Sequence, residues 1–364
     1  AGRRVLTEAG APVYDTPEAA VRALAHLHAR RRNLEALMRT PPPRSRAPGD
    51  PAAARAVIAR ALAERRPVLS APEAKALLQA YHIPVVESRT AADPAAAAAI
   101  TAEWAAPVAL KILSPDITHK SDVGGVALDL SPAEVEQAAE AMAARVRAAA
   151  PEARQTGFSV EPMAPSEGRV ELIVGMVDDP TFGPTVLAGA GGVAVEVLDD
   201  KVLELPPLNL ASARDMLGRT RVARLLAGYR NVPPADVDAV AAVLVAVSDM
   251  IVDLPELAEL DINPLSVGPD GAIAVDARAV VRATRPEEGD RLALKPYPAE
   301  LERELRLPDG SALHLRPIQP EDEPALIEMG RRTRPEDLRL RFFTWVKDFP
   351  HPLAARLSQI DYHR

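Results

Sequence analysis

The stretch Ala109-Leu-Lys111-Ile-Leu-Ser-Pro-Asp116-Ile-Thr-His119-Lys120-Ser-Asp122-Val-Gly124-Gly125-Val126 decides how the chain is read. It begins as an apolar strand, residues 107–113, with a lysine in its middle, where an ammonium is costly unless it meets an anion. A loop follows with His119, Lys120 and two glycines whose backbone N–H groups can come close to a phosphate. A second strand, residues 125–130, leaves the loop. Lys111 either meets such an anion or lies on an edge strand and snorkels to water.

On both sides, short apolar runs alternate with helical stretches. Strands are expected at 158–163, 169–177, 184–190, 193–198, 257–265 and 272–276, with long helices at 132–149 and 235–251. Ser70-Ala-Pro-Glu73 and Ser131-Pro-Ala-Glu134 are capping boxes with a proline in the first turn, so helices start at both. This is a mixed α/β or α+β domain of about 220 residues. Gly189-Ala-Gly191-Gly-Val-Ala194 fits the G-x-G-x-x-A dinucleotide fingerprint, but it is followed by a strand-like run rather than a helix, so that reading is rejected. The G-x-x-x-x-G-K-[ST] phosphate loop does not occur.

A second constellation lies farther on. Asp261-Ile-Asn263-Pro264-Leu265 is one strand, Gly268-Pro-Asp-Gly271 a tight turn, and Ala272-Ile-Ala-Val-Asp276 the return. With the turn centred on Pro269 and Asp270, Asn263 and Asp276 face each other with Cβ atoms about 5 Å apart. An amide oxygen and a carboxylate so placed suit Mg²⁺, which keeps waters and substrate phosphates as its other ligands. The plainer reading is a hairpin whose polar residues decorate its ends.

Composition narrows the chemistry. Among 364 residues there is no cysteine, which removes disulfides, thiolate metal sites, iron–sulfur clusters and a cysteine nucleophile. Any thioester sulfur must come from a ligand. The apolar run 239–247 is far short of the ~20 residues that cross a bilayer, and no signal peptide precedes it, so a cytoplasmic protein without membrane or nucleic-acid partners is expected. Residues 1–66 are basic and the remainder acidic. In the basic part, 12–14 reads as a short strand and Thr16-Pro17-Glu18 starts a helix to about Arg39. Arg30-Arg31-Arg32 is either a phosphate patch or a solvated helix end. Proline-rich residues 40–51 read as an exposed linker. The chain lacks an initial methionine and ends abruptly, as expected of a fragment of a longer polypeptide.

Lys111 to Val126, Val160-Glu161-Pro162-Met163, Glu171-Leu-Ile-Val-Gly175, Asp179-Pro-Thr-Phe182-Gly183-Pro184, Gly189-Ala-Gly-Gly192 and Asp261 through Asp276-Ala-Arg278 together resemble the ATP-grasp domain of NDP-forming acyl-CoA synthetases, relatives of the β subunit of succinyl-CoA synthetase. The resemblance runs in order over 55–285. Residues 1–40 resemble the end of that family's flavodoxin-like CoA-ligase domain, with a linker at 41–54. After a linker at 286–298, residues 299–364 resemble the opening of a GNAT acetyltransferase domain, through Leu315-Arg-Pro-Ile-Gln-Pro-Glu-Asp322, Leu338-Arg-Leu-Arg-Phe342-Phe343 and Gln359-Ile-Asp361-Tyr362. Such fusions are typical of bacterial protein acetyltransferases.

The resemblance implies acyl-CoA + ADP + phosphate ⇌ acid + CoA + ATP, run through acyl phosphate and phosphohistidine. ATP or ADP and Mg²⁺ are the implied cofactors, and CoA and a small carboxylic acid the substrates. The implied partners are the CoA-binding and ligase domains of the same longer chain, protein lysines through the GNAT part, and a homo-oligomeric assembly. Lys111 would hold the nucleotide's α/β-phosphates, aided by Lys120. Gly124 and Gly125 would cradle phosphate, Glu161 and Met163 would form the hinge at the adenine, and Asn263 with Asp276 would hold Mg²⁺. His119, a neutral imidazole beside a phosphate-binding lysine, can act as a nucleophile toward phosphorus. By resemblance it relays phosphate, and Asp261 orients the phosphohistidine. His26, His28, His82, His314, His351 and His363 have no such company. Two departures stand out: the CoA-binding part with the primary phosphohistidine is absent, and the GNAT part ends before an acetyl-CoA pyrophosphate loop. The rival expectation is a non-catalytic, ligand-binding regulatory module of a GNAT protein lysine acetyltransferase.

Overall fold

A computed structural model describes residues 2–37, 49–117, 120–164, 166–192, 200–230, 232–284, 291–346, 349–360 and 362. Elements in chain order are α1 (Gly2–Glu8), α2 (Pro17–Leu37), α3 (Pro51–Ala63), α4 (Ala71–Ala80), β1 (Arg89–Ala91), α5 (Pro94–Trp104), β2 (Val108–Leu113), β3 (Val126–Leu130) and α6 (Val135–Ala149). Then come β4 (Gly157–Pro162), β5 (Val170–Asp179), β6 (Gly183–Ala190), β7 (Lys201–Glu204), α7 (Leu210–Gly218), α8 (Ala223–Leu226) and α9 (Val237–Asp253). The last are β8 (Leu257–Gly268), β9 (Gly271–Ala274), β10 (Ala277–Val281), β11 (Arg303–Arg306), β12 (Ala312–Leu315), α10 (Glu323–Arg332), α11 (Pro335–Phe342) and α12 (His351–Ser358). The chain divides into two compact units, 45–296 and 1–44 with 297–364.

The larger unit is a mixed α/β body with two antiparallel sheets, each covered on one face. In the smaller sheet, ordered β1-β4-β2-β3, Val108, Leu110 and Ile112 alternate with Phe158 and Val160 of β4 to make one apolar face. Helix α6 covers it with Val135, Ala139, Met142 and Val146, a stripe at helical spacing. The Ser131 N–H and hydroxyl both donate to Glu134, which is half of the expected capping box; the hydroxyl does not cap a backbone N–H, and α6 begins only at Val135. The larger sheet is ordered β10-β8-β5-β6-β7, with β9 also on β8. Leu172, Val174, Met176, Val186, Ala188, Leu260 and Ile262 turn toward α7 and α9, and α3 and α4 join the same core through Ile58, Leu77 and Leu78. Period-two alternation leaves the opposite face of this sheet to Gly175, Leu187, Leu203, Asp261 and Asn263.

Several expectations are corrected here. Residues 12–14 form no strand among the described residues, because a strand needs a ladder partner and these have none. Helix α2 does start as expected, with Thr16 Oγ1 accepting from the Ala19 N–H. The stretch read as linker gives way to α3 at Pro51, where Asp50 accepts from the Ala53 N–H and Ala54 is fully buried. Strands β1, β7 and β10 were not anticipated. The expected strand 193–198 lies outside the described residues.

In the other unit, β11 and β12 pair as a hairpin, and Leu338, Phe349 and Ala354 form a small core among α10, α11 and α12. Among the described residues no helix is long and apolar enough to cross a membrane.

Candidate functional site

Strand β2 is buried on both faces, so Lys111 does not extend freely into water: its side chain is only 8% exposed. Antiparallel pairing sets Lys111 against Ser159 and Ala109 against Glu161, so Lys111, Ser159 and Glu161 share the face turned away from the α6 core. Lys111 Nζ donates to Glu161 Oε2 at 2.9 Å. Glu161 Oε1 accepts from Lys75 Nζ at 2.8 Å and from Ser159 Oγ at 3.0 Å. With its proton engaged there, Ser159 accepts from Ser88 Oγ at 2.7 Å. Burial alone would push the Glu161 carboxyl up, but the two ammonium groups and their hydrogen bonds outweigh it and hold it below the usual carboxylate range. One buried carboxylate thus serves two lysines, leaving one positive charge uncompensated in a low-dielectric place, which favours an anion.

Lys75 was not anticipated. It comes from α4, whose buried stripe is Ala71, Ala74, Lys75, Leu77 and Leu78. A lysine at an apolar position of a helix is a readable signal, and here it carries the charge from the larger core to the smaller sheet. Glu161, expected at the adenine, has its side chain beneath the two lysines instead. Its place on β4 points it along Lys111, and only Met163, just past the strand, remains 38% exposed at that end. Met163 Sδ accepts from the Asp129 N–H.

The glycine loop is also corrected in one respect. Gly124 adopts a left-handed φ of 69°, which a side chain disfavours. Its N–H donates to Ser121 O at 3.1 Å, and the Gly125 N–H to Lys120 O at 2.7 Å. A Cβ on Gly125 would lie 2.5 Å from Ile112 Cγ2. Both N–H groups are therefore spent inside the turn: the glycines shape the loop rather than offer free donors. Lys120 is half-buried at its start. His119 lies outside the described residues.

The larger sheet supplies oxygen groups. Leu265 pairs with Ala274 on one side, and Ile262 with Ala277 on the other, all in one register. That register sets Asn263 opposite Asp276, bracketed by the two observed pairs. Arg169 braces the hairpin through Ser266 Oγ and the Gly271 carbonyl. Asn263 Oδ1 accepts from the Gly192 N–H at 3.3 Å. Asp261 lies two residues before Asn263 on the same face, and its buried Oδ1 has no partner among the described residues. Burial pushes its carboxyl up, reinforced by Asp276 and opposed by Arg278 and Lys201. Asp276 also acts electrostatically on Lys75, which ties the hairpin to the lysine pair.

Among the described residues no group of three His, Cys, Asp or Glu could hold a metal. The donor set nevertheless fits Mg²⁺: an amide, a carboxylate and the orphaned oxygen of Asp261, all hard ligands, with phosphates to complete the shell.

A family model for the ATP-grasp domain matches residues 60–281. The β subunit of acetate–CoA ligase [ADP-forming] I from Pyrococcus furiosus is 40% identical over 231 residues, 63% of this chain and 98% of the subunit. The chain spans only about a third of the single-chain ligases it matches, including 30% of an Archaeoglobus fulgidus acetate–CoA ligase [ADP-forming]. The dinucleotide-forming acetyl-coenzyme A synthetase 1 of Candidatus Korarchaeum cryptofilum, solved with coenzyme A and Ca-AMPCP, superposes with a TM-score of 0.61 and 38% identity, covering 63% of this chain and all of that one. The same enzyme solved with coenzyme A and Mg-AMPPCP, its phosphohistidine segment pointing towards the nucleotide binding site, gives a TM-score of 0.55 and 36% identity, with the same coverage.

Proposed function

The chain belongs to the ATP-grasp domain family, in the group that includes the β subunits of ADP-forming acetate–CoA ligases, and from that premise we propose that residues 55–285 bind ATP or ADP and move a phosphoryl group between nucleotide and histidine. The reaction served is acyl-CoA + ADP + phosphate ⇌ acid + CoA + ATP, with a small carboxylic acid as the acyl partner. The observation that carries the reading is the buried Lys111–Glu161–Lys75 group, with one positive charge to spare beside the in-register Asn263 and Asp276.

In this reading the N–H groups of Lys111 not used by Glu161 hold phosphate oxygens, and Lys120 adds charge from the loop. Met163 borders the adenine. Asn263 and Asp276 hold Mg²⁺, which when bound neutralises phosphate charge. Phosphoryl transfer asks mainly for positioning and cationic stabilisation, and these groups offer both. His119 accepts the phosphoryl group, and Asp261 takes a hydrogen bond from the imidazole and fixes its tautomer. Residues 1–40 read as the end of a flavodoxin-like CoA-ligase domain and 299–364 as the opening of a GNAT domain, the latter supported by the β11–β12 hairpin followed by α10. Reading the chain as a non-catalytic regulatory module has less support, because the matched relatives are ligases.

The test is incubation of the full-length protein with labelled Mg-ATP, then with acetate and CoA. Acid-labile, base-stable phosphate on His119, lost in His119→Ala, and ADP release are expected. Nucleotide binding with neither outcome would sink the phosphoryl-relay reading.

A further inference from the structure

Lys75 and Lys111 contact the same carboxylate but are differently engaged. Lys75 Nζ reaches Glu161 Oε1 at 2.8 Å and the Val86 carbonyl at 3.4 Å, whereas Lys111 has only Glu161 Oε2 among the described residues. Their side chains are 4% and 8% exposed, and that of Glu161 is 2% exposed. Without Lys75, the buried Lys111–Glu161 pair would be neutral and its ammonium held by the carboxylate. A neutral pair has no net attraction for a polyphosphate. With Lys75 the group is cationic, and Lys111 keeps two N–H donors for a ligand. Lys75 is in turn fixed by α4, whose apolar stripe packs in the larger core that also carries the Asn263–Asp276 hairpin.

We infer that Lys75 is a positioning residue: by neutralising Glu161 from the far side, it releases Lys111 for the phosphates of a nucleoside diphosphate or triphosphate. This rests on the nucleotide-binding reading above and adds to it a charge balance among three named residues. A purely architectural role for Lys75 would depend on packing and would be blind to the charge of Glu161.

That difference gives the test, with Mg-ADP as the probe and titration calorimetry on the full chain. Lys75→Met keeps the length of the side chain and removes its charge; the dissociation constant for ADP should rise at least tenfold. Adding Glu161→Gln to it restores one net positive charge, and the double variant should recover most of the lost affinity. A Lys75→Met protein that binds ADP like the wild type overturns the inference, and so does a double variant no better than the single one. If Lys75→Met alone does not fold, the double variant is read beside Glu161→Gln, and a folded double variant that binds no ADP overturns the inference. Failure of the wild type itself to bind ADP would instead refute the nucleotide reading, so the two are told apart.

Discussion

Gly175 is the position at which the sheet and the candidate site are most tightly joined. It lies in β5 between Leu187 of β6 and Asp261 of β8. A Cβ there would lie 2.1 Å from the Leu260 carbonyl oxygen and 3.3 Å from the Asp261 Cα, both backbone atoms. Relieving that overlap takes a withdrawal of β8 by roughly 1 Å, since carbon contacts open near 3.4 Å. Overpacking of this kind costs about 1–3 kcal/mol, and each ladder hydrogen bond lost adds about 1 kcal/mol. With two such bonds broken, Gly175→Ala should destabilise the domain by about 3–5 kcal/mol. For a domain of this size that is a fall in Tm of about 6–20 °C.

The displaced segment carries Asp261 and leads into Asn263, so ADP affinity should fall with stability. Gly218 supplies the control, because it ends α7 with nothing within 4 Å of its added Cβ. Gly218→Ala should raise stability by up to about 1 kcal/mol through helix propensity and a stiffer unfolded chain. Thermal melts of the three proteins, followed by circular dichroism at pH 7.5, make the comparison. A Gly175→Ala protein melting within about 2 °C of the wild type would refute the close-approach argument.

Two further perturbations address the Asn263–Asp276 hairpin and the fold. Asp276→Asn removes the only charged member of the Asn263–Asp276 pair, so the Mg²⁺ concentration needed for half-maximal ADP binding should rise at least about tenfold; an unchanged Mg²⁺ requirement in calorimetry would count against that assignment. Glu73→Gln tests the Arg66–Glu73 fork, with hydrogen bonds of 2.8 and 3.0 Å. Burial pushes the Glu73 carboxyl up, but Arg66 and Ser70 override it and bring it down to about 2. A depressed value means the contribution is fully present above the ordinary carboxylate range and is lost as pH falls through about 2. The variant should therefore be less stable by about 1–2 kcal/mol at pH 7, with the gap closing below pH 4; urea unfolding across pH would show a constant gap if the pair contributes nothing.

What could be read in advance was what is local. Lys111 announced itself as a charge inside an apolar run, and the register of Asn263 and Asp276 followed from counting outward from one turn. Lys75 escaped because its partner Glu161 is far away in sequence. The capping box fixed where α4 starts, and Lys75 on its apolar stripe was readable, but only the packed helix shows which carboxylate it meets. The paired glycines misled for a related reason. Gly124 and Gly125 do mark a tight turn, but which N–H groups a turn leaves free depends on which carbonyls it folds back on, and here Ser121 and Lys120 take both. Strand β10 was hidden by the notion that the hairpin ended at Asp276. In the structure the same register continues past Asp276, pairing Arg278 with Asp261.

The charge layout explains why neither half of the site is sufficient. Asp261 and Asp276 lie on a face of the larger sheet where carboxylates repel phosphate, and Asp261 is already strained toward its neutral form by burial and by its neighbour. The smaller sheet offers the reverse, a buried cationic group whose two ammonium groups share a single ion-pair partner, Glu161, among the described residues. A polyphosphate is attracted by the second and rejected by the first unless a divalent cation offsets the carboxylates. Lys75 belongs to the core of one half and pairs with the carboxylate of the other, while Asp276 acts on it electrostatically. The arrangement therefore couples metal and nucleotide: each ligand removes a repulsion that the other would otherwise meet, and their affinities must reinforce one another by the same factor in both directions.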